Sequence, residues 1–174
     1  MKKFAKLGSL ALAIALICAL LAGCGDGVSL KDVQKKGKIT IATSPDFPPF
    51  ESLSGGEIVG IEVDIVKLIA EKLGVEPVFE QMDFDSVLPG VQAGKFDVGM
   101  SGITVTEKRQ KNADFTDPYF LAAQSIVVLS DSDITCKADL EGKTVSVQTG
   151  TTAESYCTEN GYTVMAYQAN NDAC

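Results

Sequence analysis

Histidine is absent from all 174 residues. That removes the side chain that most often serves as a general base and most often binds metal, so serine-histidine catalysis and histidine-rich metal centres are excluded. The chain has no basic run and no interleaving of basic with aromatic residues, which leaves nucleic-acid binding without support. No cysteine pair shows zinc-ligand spacing, and no cofactor is expected. No glycine-rich phosphate loop ending in lysine occurs, so an ATPase would have to reside in another chain. Internal repeats and low-complexity tracts are also missing, and only one long apolar run is found.

That run lies at the start. Lys2, Lys3 and Lys6 precede it with no acid among them, and Leu7 to Leu21 is interrupted only by small residues such as Gly8 and Ser9. This is the layout of a signal peptide; a spanning helix needs about 20 apolar residues and a different flank. Leu21-Ala22-Gly23-Cys24 resembles the bacterial lipobox, with an ordinary secretory signal and an incidental cysteine as the alternative. The resemblance implies that residues 1–23 are removed and Cys24 is lipidated. Two or more acyl chains suffice for stable attachment, so the expected location is extracytoplasmic, anchored to the cell membrane without spanning it. Beyond Cys24, 12 basic residues face 23 acids, a net charge of −11. Cys136, Cys157 and Cys174 remain as thiols; three cannot all pair internally, and Cys136 with Cys157 is one candidate among open pairings.

Residues 24–32 read as a polar tether, with folding expected from near Val33. Ile39 to Ala42 is a short β-rich run, closed by Pro45, Pro48 and Pro49, which cannot sit inside a paired strand. Ile61, Ile65, Leu68, Ile69 and Leu73 recur at helical spacing, with Glu62, Lys67, Glu71 and Lys72 largely off that stripe, and Gly74 is placed to end the helix. Val75 to Glu80 predicts a strand, Phe84 to Ala93 a helix, Asp97 to Met100 a strand and Thr106 to Lys111 a short helix. This β-α-β-α-β order favours crossover connections, a mainly parallel sheet and the α/β class. Ligands of such sheets gather beyond the strands' carboxyl ends, here the loops after Ala42 and Met100. Tyr119 to Leu129 predicts a strand leaving this unit. A second unit follows, with Thr144 to Val147 a strand, Thr151 to Asn160 a helix and Thr163 to Tyr167 a strand, too small to make a good core by itself. The division is placed at 33–124 and 125–174.

Ser101-Gly102-Ile103-Thr104-Val105-Thr106-Glu107-Lys108-Arg109 closely resembles a motif of the family 3 bacterial solute-binding proteins, the amino-acid receptors of ABC importers. Ser44 to Glu51 resembles their first ligand loop, Gly60 to Asp64 the start of their first helix, Phe115 to Tyr119 the lead into their hinge, and Gly142 to Thr152 the opening of their second lobe. The resemblance implies a two-lobed, type II periplasmic-binding-protein-like fold whose second lobe is C-terminally truncated here. It implies a monomer that captures a free amino acid and delivers it to permease subunits, without being an enzyme.

A free amino acid presents a carboxylate and an ammonium, both of which need aimed partners when desolvated. Arg109 offers a planar fork matched to a carboxylate, although a lone arginine is ordinarily a solvated surface charge. Gly150-Thr151-Thr152 lies where a strand gives way to a helix, so the Thr151 and Thr152 amides form an anion site unless a threonine merely caps the helix. From the resemblance, the Gly102 carbonyl and the Thr104 hydroxyl accept from the ammonium, Ser101 is a lesser candidate, and Ser44, Phe47, Phe84 and Gln148 face the ligand's side chain. A neutral Ser44 opposite a neutral Gln148 points to a polar uncharged amino acid, with Asp46 two residues away pulling towards a cation. Two alternatives differ in kind. One is a periplasmic enzyme resembling cyclohexadienyl dehydratase with Asp46 or Glu51 as its acid; the other is a ligand-sensing lipoprotein.

Overall fold

The computed structural model describes residues 29–174. The expected signal segment and Cys24 therefore lie outside the described residues. The first element is a helix, α1 (Leu30–Lys36), of which only Leu30 to Asp32 fall within the expected tether. Ser29 caps it reciprocally with Asp32, and Gly37, at φ 71°, ends it. Regular structure therefore begins three residues before Val33, whose side chain is buried, and the local signal for it is the Ser29-x-x-Asp32 spacing.

Strand β1 (Lys38–Thr43) follows and becomes the centre of the first sheet. The chain then makes a small antiparallel excursion, β2 (Asp46–Phe47), β3 (Glu51–Ser54) and β4 (Glu57–Val59). The sequence reading had only a rigid loop there. The missed signal is Gly55-Gly56, both at positive φ, which closes the β3–β4 hairpin as a two-residue turn. The Pro48–Pro49 peptide is cis.

Helix α2 (Ile61–Leu73) has the predicted bounds and ends at Gly74 in the left-handed conformation. Its buried face differs from the predicted one. Glu62, Val63, Val66 and Ala70 are buried, whereas Ile61, Leu68 and Ile69 are each more than two-fifths exposed. Two apolar stripes overlap on this helix, and spacing alone cannot say which one meets the sheet; the smaller residues do, because they let the helix approach β1 closely. Strand β5 (Glu76–Gln81), carrying Pro77, pairs in parallel along the whole of β1, from Lys38 opposite Glu76 to Thr43 opposite Gln81. Helix α3 (Phe84–Gln92) and the short strand β6 (Val98–Gly99) complete a three-stranded parallel sheet in the order β5-β1-β6.

Period-two alternation on β1 divides the core. Ile39 and Ile41 pack with Val33, Val66 and Ala70 on the α1/α2 side, while Ala42 packs with Val87 and Phe96 on the α3 side. A strand covered on both faces reads as a continuous apolar run, which is how Ile39 to Ala42 looked. Lys36 on α1 ties this unit to the start of β6 through Asp97, the one ion pair among the described residues.

After α4 (Glu107–Gln110), residues 111–136 form no regular element. The strand expected over Tyr119–Leu129 is not formed: no described strand lies alongside it to complete a ladder, and Leu121, Val127 and Leu129 stand about four-fifths exposed or more. The 124/125 division falls inside this segment. Beyond a 3₁₀ turn (Lys137–Leu140), β7 (Thr144–Gln148), α5 (Thr152–Glu159) and β8 (Thr163–Tyr167) form a parallel β-α-β unit, followed by α6 (Asn170–Ala173). Cys136, Cys157 and Cys174 all carry free thiols, with Cys157 buried on the inner face of α5 and the other two exposed, so the candidate Cys136–Cys157 bridge is not formed. No described helix is long and apolar enough to cross a membrane.

Candidate functional site

The loops beyond β1, β6 and β7 carry the expected residues, as the strand order requires. Thr106 caps α4 by accepting from the Arg109 amide, which fixes where the Arg109 side chain starts. Its guanidinium is half-buried; Nη1 donates to the Thr104 carbonyl at 2.8 Å and Nη2 to the Gly150 carbonyl at 3.0 Å. The Phe84 ring, at the first turn of α3, lies 5.5 Å beneath it. Burial lowers the guanidinium pKa from its ordinary value, although an arginine stays charged through such shifts. Gly150 sits at φ 78° against Asp85, and a Cβ there would approach the Asp85 Cβ to 2.9 Å, so only glycine allows the two units to meet at this point.

Thr151 caps α5: its hydroxyl accepts from the Glu154 amide and donates to the Gln148 carbonyl. The Thr152 hydroxyl accepts from Gln124. The amides of Thr151 and Thr152 donate to no group among the described residues, while the Gly150 amide is bonded to the Glu154 carboxylate. Arg109, Phe84, Gly150 and the first turn of α5 therefore converge, with Thr104 attached through its carbonyl. The capping role and an anion-binding role coexist here, because they use different atoms.

Ser44, Ser101 and Gly102 form a second group. The buried Ser101 hydroxyl accepts from the Ser44 amide at 3.0 Å. Gly102 has φ 57° and lies under the Phe47 ring, which stacks on Phe50 at 5.6 Å. Asp46 joins the units: one carboxylate oxygen accepts from Gln148 Nε2 at 3.0 Å and from the Asn170 amide at 2.6 Å, and the other accepts from the Ser44 hydroxyl. An open cleft of about 320 Å³ adjoins this group, taking in Ser44 and Asp46 together with Asp83 and Gln168. It does not reach Phe84, Thr104, Arg109 or Thr151, so the expected residues fall into two neighbouring clusters rather than lining one cavity.

Three residues beneath this loop escaped the sequence reading in their observed roles. Glu51 and Glu62 are only 1% and 2% exposed, although Glu62 was expected off the apolar face of α2. Gly60 explains the burial of Glu62: a Cβ at Gly60 would overlap the Phe50 carbonyl, and its absence lets the Pro49 and Phe50 carbonyls take the Ile61 and Glu62 amides. Glu62 Oε1 accepts from the Gly102 amide at 2.9 Å and from the Tyr119 hydroxyl. Glu51 Oε1 accepts from the Ser101 hydroxyl at 3.1 Å. Burial first, and then the hydrogen bond and charge of Glu62, push the Glu51 carboxyl up to about 9. Burial and the neighbouring Glu62 likewise push the Tyr119 phenol upward, keeping it a donor. Hydrophobic periodicity counts a glutamate as outward-facing, so no signal in the pattern marks this pair.

Comparison with known proteins places this geometry. The family model described as bacterial extracellular solute-binding proteins, family 3, matches residues 39–172. An arginine-binding extracellular protein of Bacillus subtilis is 40% identical over 145 residues, covering 83% of this chain and 56% of its own length. A histidine-binding periplasmic protein of Salmonella typhimurium is 36% identical over 141 residues, covering 78% of this chain and 54% of its own. The chain thus spans about half the length of the curated relatives it matches. Among solved structures, the arginine-bound form of a truncated ArgBP from T. maritima superimposes with a TM-score of 0.79 at 44% identity, over 82% of this chain and 69% of that one. An ancestral amino acid-binding protein, a precursor of cyclohexadienyl dehydratase, gives 0.79 at 35% identity, over 84% and 67%. With the family model matched over most of its length and the two-lobed α/β relatives superimposed on it, this chain belongs to the family 3 bacterial extracellular solute-binding proteins.

Proposed function

We propose that the protein captures a free amino acid outside the cell membrane, held there through Cys24, and delivers it as a monomer to the permease of an ABC importer. The observation that carries this reading is the convergence of the half-buried Arg109 guanidinium with the Thr151 and Thr152 amides. Together these donors suit the carboxylate of an amino acid, since a guanidinium fork and a helix N-terminus both favour a planar anion. Thr104 and the Gly102 carbonyl would accept from the ammonium, with Ser101 behind them, and Ser44, Phe47, Phe84 and Gln148 would face the side chain.

The uncharged preference read from Ser44 and Gln148 has no support among the relatives, whose names specify arginine or histidine. Asp46 and Asp83 in the adjoining cleft favour a cationic side chain instead, and we take that as the reading. The enzyme alternative is weakened by Glu51, which faces Ser101 and Glu62 inside the protein and is not exposed to a substrate. A thermal-shift screen of the chain from residue 24, carrying Cys24→Ala, against the twenty amino acids tests the proposal. A shift with arginine, lysine or histidine supports it; a shift with none of the twenty refutes it.

A further inference from the structure

The least expected feature of this lobe is a pair of buried carboxyl groups that no cation among the described residues pairs with. The charged and titratable groups around them are known from each neighbouring element: Glu51 itself from β3, Glu62 from the first turn of α2, Asp46 from β2, and Tyr119 from the segment leading out of the unit. The loop after β6 adds the Ser101 hydroxyl and the Gly102 amide. Among the described residues, neither glutamate is in an ion pair. Two adjacent buried anions without a counter-charge would repel strongly in a medium of low polarity.

The hydrogen bonds show how this is resolved. Each glutamate has one satisfied oxygen and one oxygen with no partner, Glu51 Oε2 and Glu62 Oε2. Glu62 Oε1 accepts twice, from the Gly102 amide and the Tyr119 hydroxyl, so of its two oxygens only Oε2 remains without a partner. We propose that a single proton, carried by Glu51 and donated to Glu62, joins the two unpartnered oxygens, and that the pair so formed positions the amino-acid site by holding the Gly102 peptide and Tyr119. This rests on the capture reading in so far as Gly102 accepts the ligand ammonium. Glu62 and Glu51 are then positioning residues, acting on the ligand through Gly102 and not by contact.

The direction of the Glu51 shift sets the pH window. A carboxyl raised from 4.5 to about 9 contributes stability that is fully present below 4.5, declines as pH rises above it and is lost by about 9. Once that proton leaves, Glu62 loses its donor and faces a second anion, and its hold on the Gly102 amide changes.

The test uses the Cys24→Ala chain labelled with ¹⁵N-glycine. In the parent the Gly102 amide resonance should hold steady through neutral pH and move with a midpoint near 9. In Glu51→Gln, which keeps a neutral donor at the same place, that step should vanish. Binding of L-arginine at pH 7 should weaken about tenfold in Glu51→Ala, the scale of one lost hydrogen bond to a charged group, and be rescued in Glu51→Gln. A Gly102 signal that titrates identically in parent and Glu51→Gln, or that steps only in the ordinary carboxylate range, overturns the shared proton. Equal loss of arginine binding in Glu51→Ala and Glu51→Gln overturns the positioning role. A parent that binds none of the twenty amino acids refutes the capture reading separately, and the Gly102 titration still decides the pair.

Discussion

Replacing Arg109 by lysine separates charge from geometry. Lysine keeps the positive charge near Gly150 but has no planar fork, so a carboxylate held by two parallel bonds would keep only one. A hydrogen bond to a charged partner contributes about 1.5–3 kcal/mol, which predicts affinity weakened roughly 10- to 150-fold. The folded chain loses less. Arg109 makes two bonds to carbonyls and one stacking contact with Phe84, all beside solvent, and lysine can restore one of the bonds, so the expected destabilisation is about 1 kcal/mol. Isothermal titration with L-arginine measures the first quantity and urea unfolding the second. Unchanged affinity in Arg109→Lys would refute the two-bond carboxylate reading. An affinity loss matched by an equal loss of stability would make Arg109 a brace between the units instead.

Three further outcomes follow from the fold. Val66→Ala should cost about 1–3 kcal/mol in urea unfolding, whereas Leu68→Gln on the exposed side of α2 should stay within about 0.5 kcal/mol; reversed magnitudes would restore the stripe predicted from spacing. Gly60→Ala, forced to φ 141° against the Phe50 carbonyl, should destabilise by at least about 2 kcal/mol and shift the Gly102 amide resonance, since Glu62 starts from that turn. Burial opposes ionisation of Asp97, but Lys36 and the two bonds from Thr40 outweigh it, so the carboxyl is held below its ordinary 3.8. Its contribution is present above that value and lost as pH falls through the depressed one, so Asp97→Asn should flatten the acid limb of a stability profile.

The elements whose signals are local were legible in the sequence. β1 and α2 are bounded by glycines and prolines, and β8 occupies the expected Thr163–Tyr167 span, opened by the β-branched pair Thr163-Val164. The convergence of Arg109 with Gly150 and the α5 N-terminus was legible only through the resemblance, because no spacing connects residues 41 apart. The buried face of α2 was misassigned because Ile65 and Leu68 satisfy a helical period as well as Val63 and Val66 do. The carboxyl pair was invisible for a deeper reason: what buries Glu62 is the missing side chain of Gly60 and the carbonyls of a loop folded over it. The connecting strand failed because a strand is a property of two chain segments, and Tyr119–Leu129 offers only one of them.

The position of Pro77 has a consequence for neighbours outside the molecule. The Glu76 and Met82 amides turn inward, to the Gly37 and Thr43 carbonyls, so by alternation the Pro77 nitrogen faces away from β1. The imino acid therefore costs the sheet no bond on its inner side, and on its outer side it removes a donor that a foreign strand would need. At the opposite border β6 offers only two paired residues, too short a template for recruitment. A crowd of partly folded copies, each with this sheet formed, would find both of its borders poor places to add a strand.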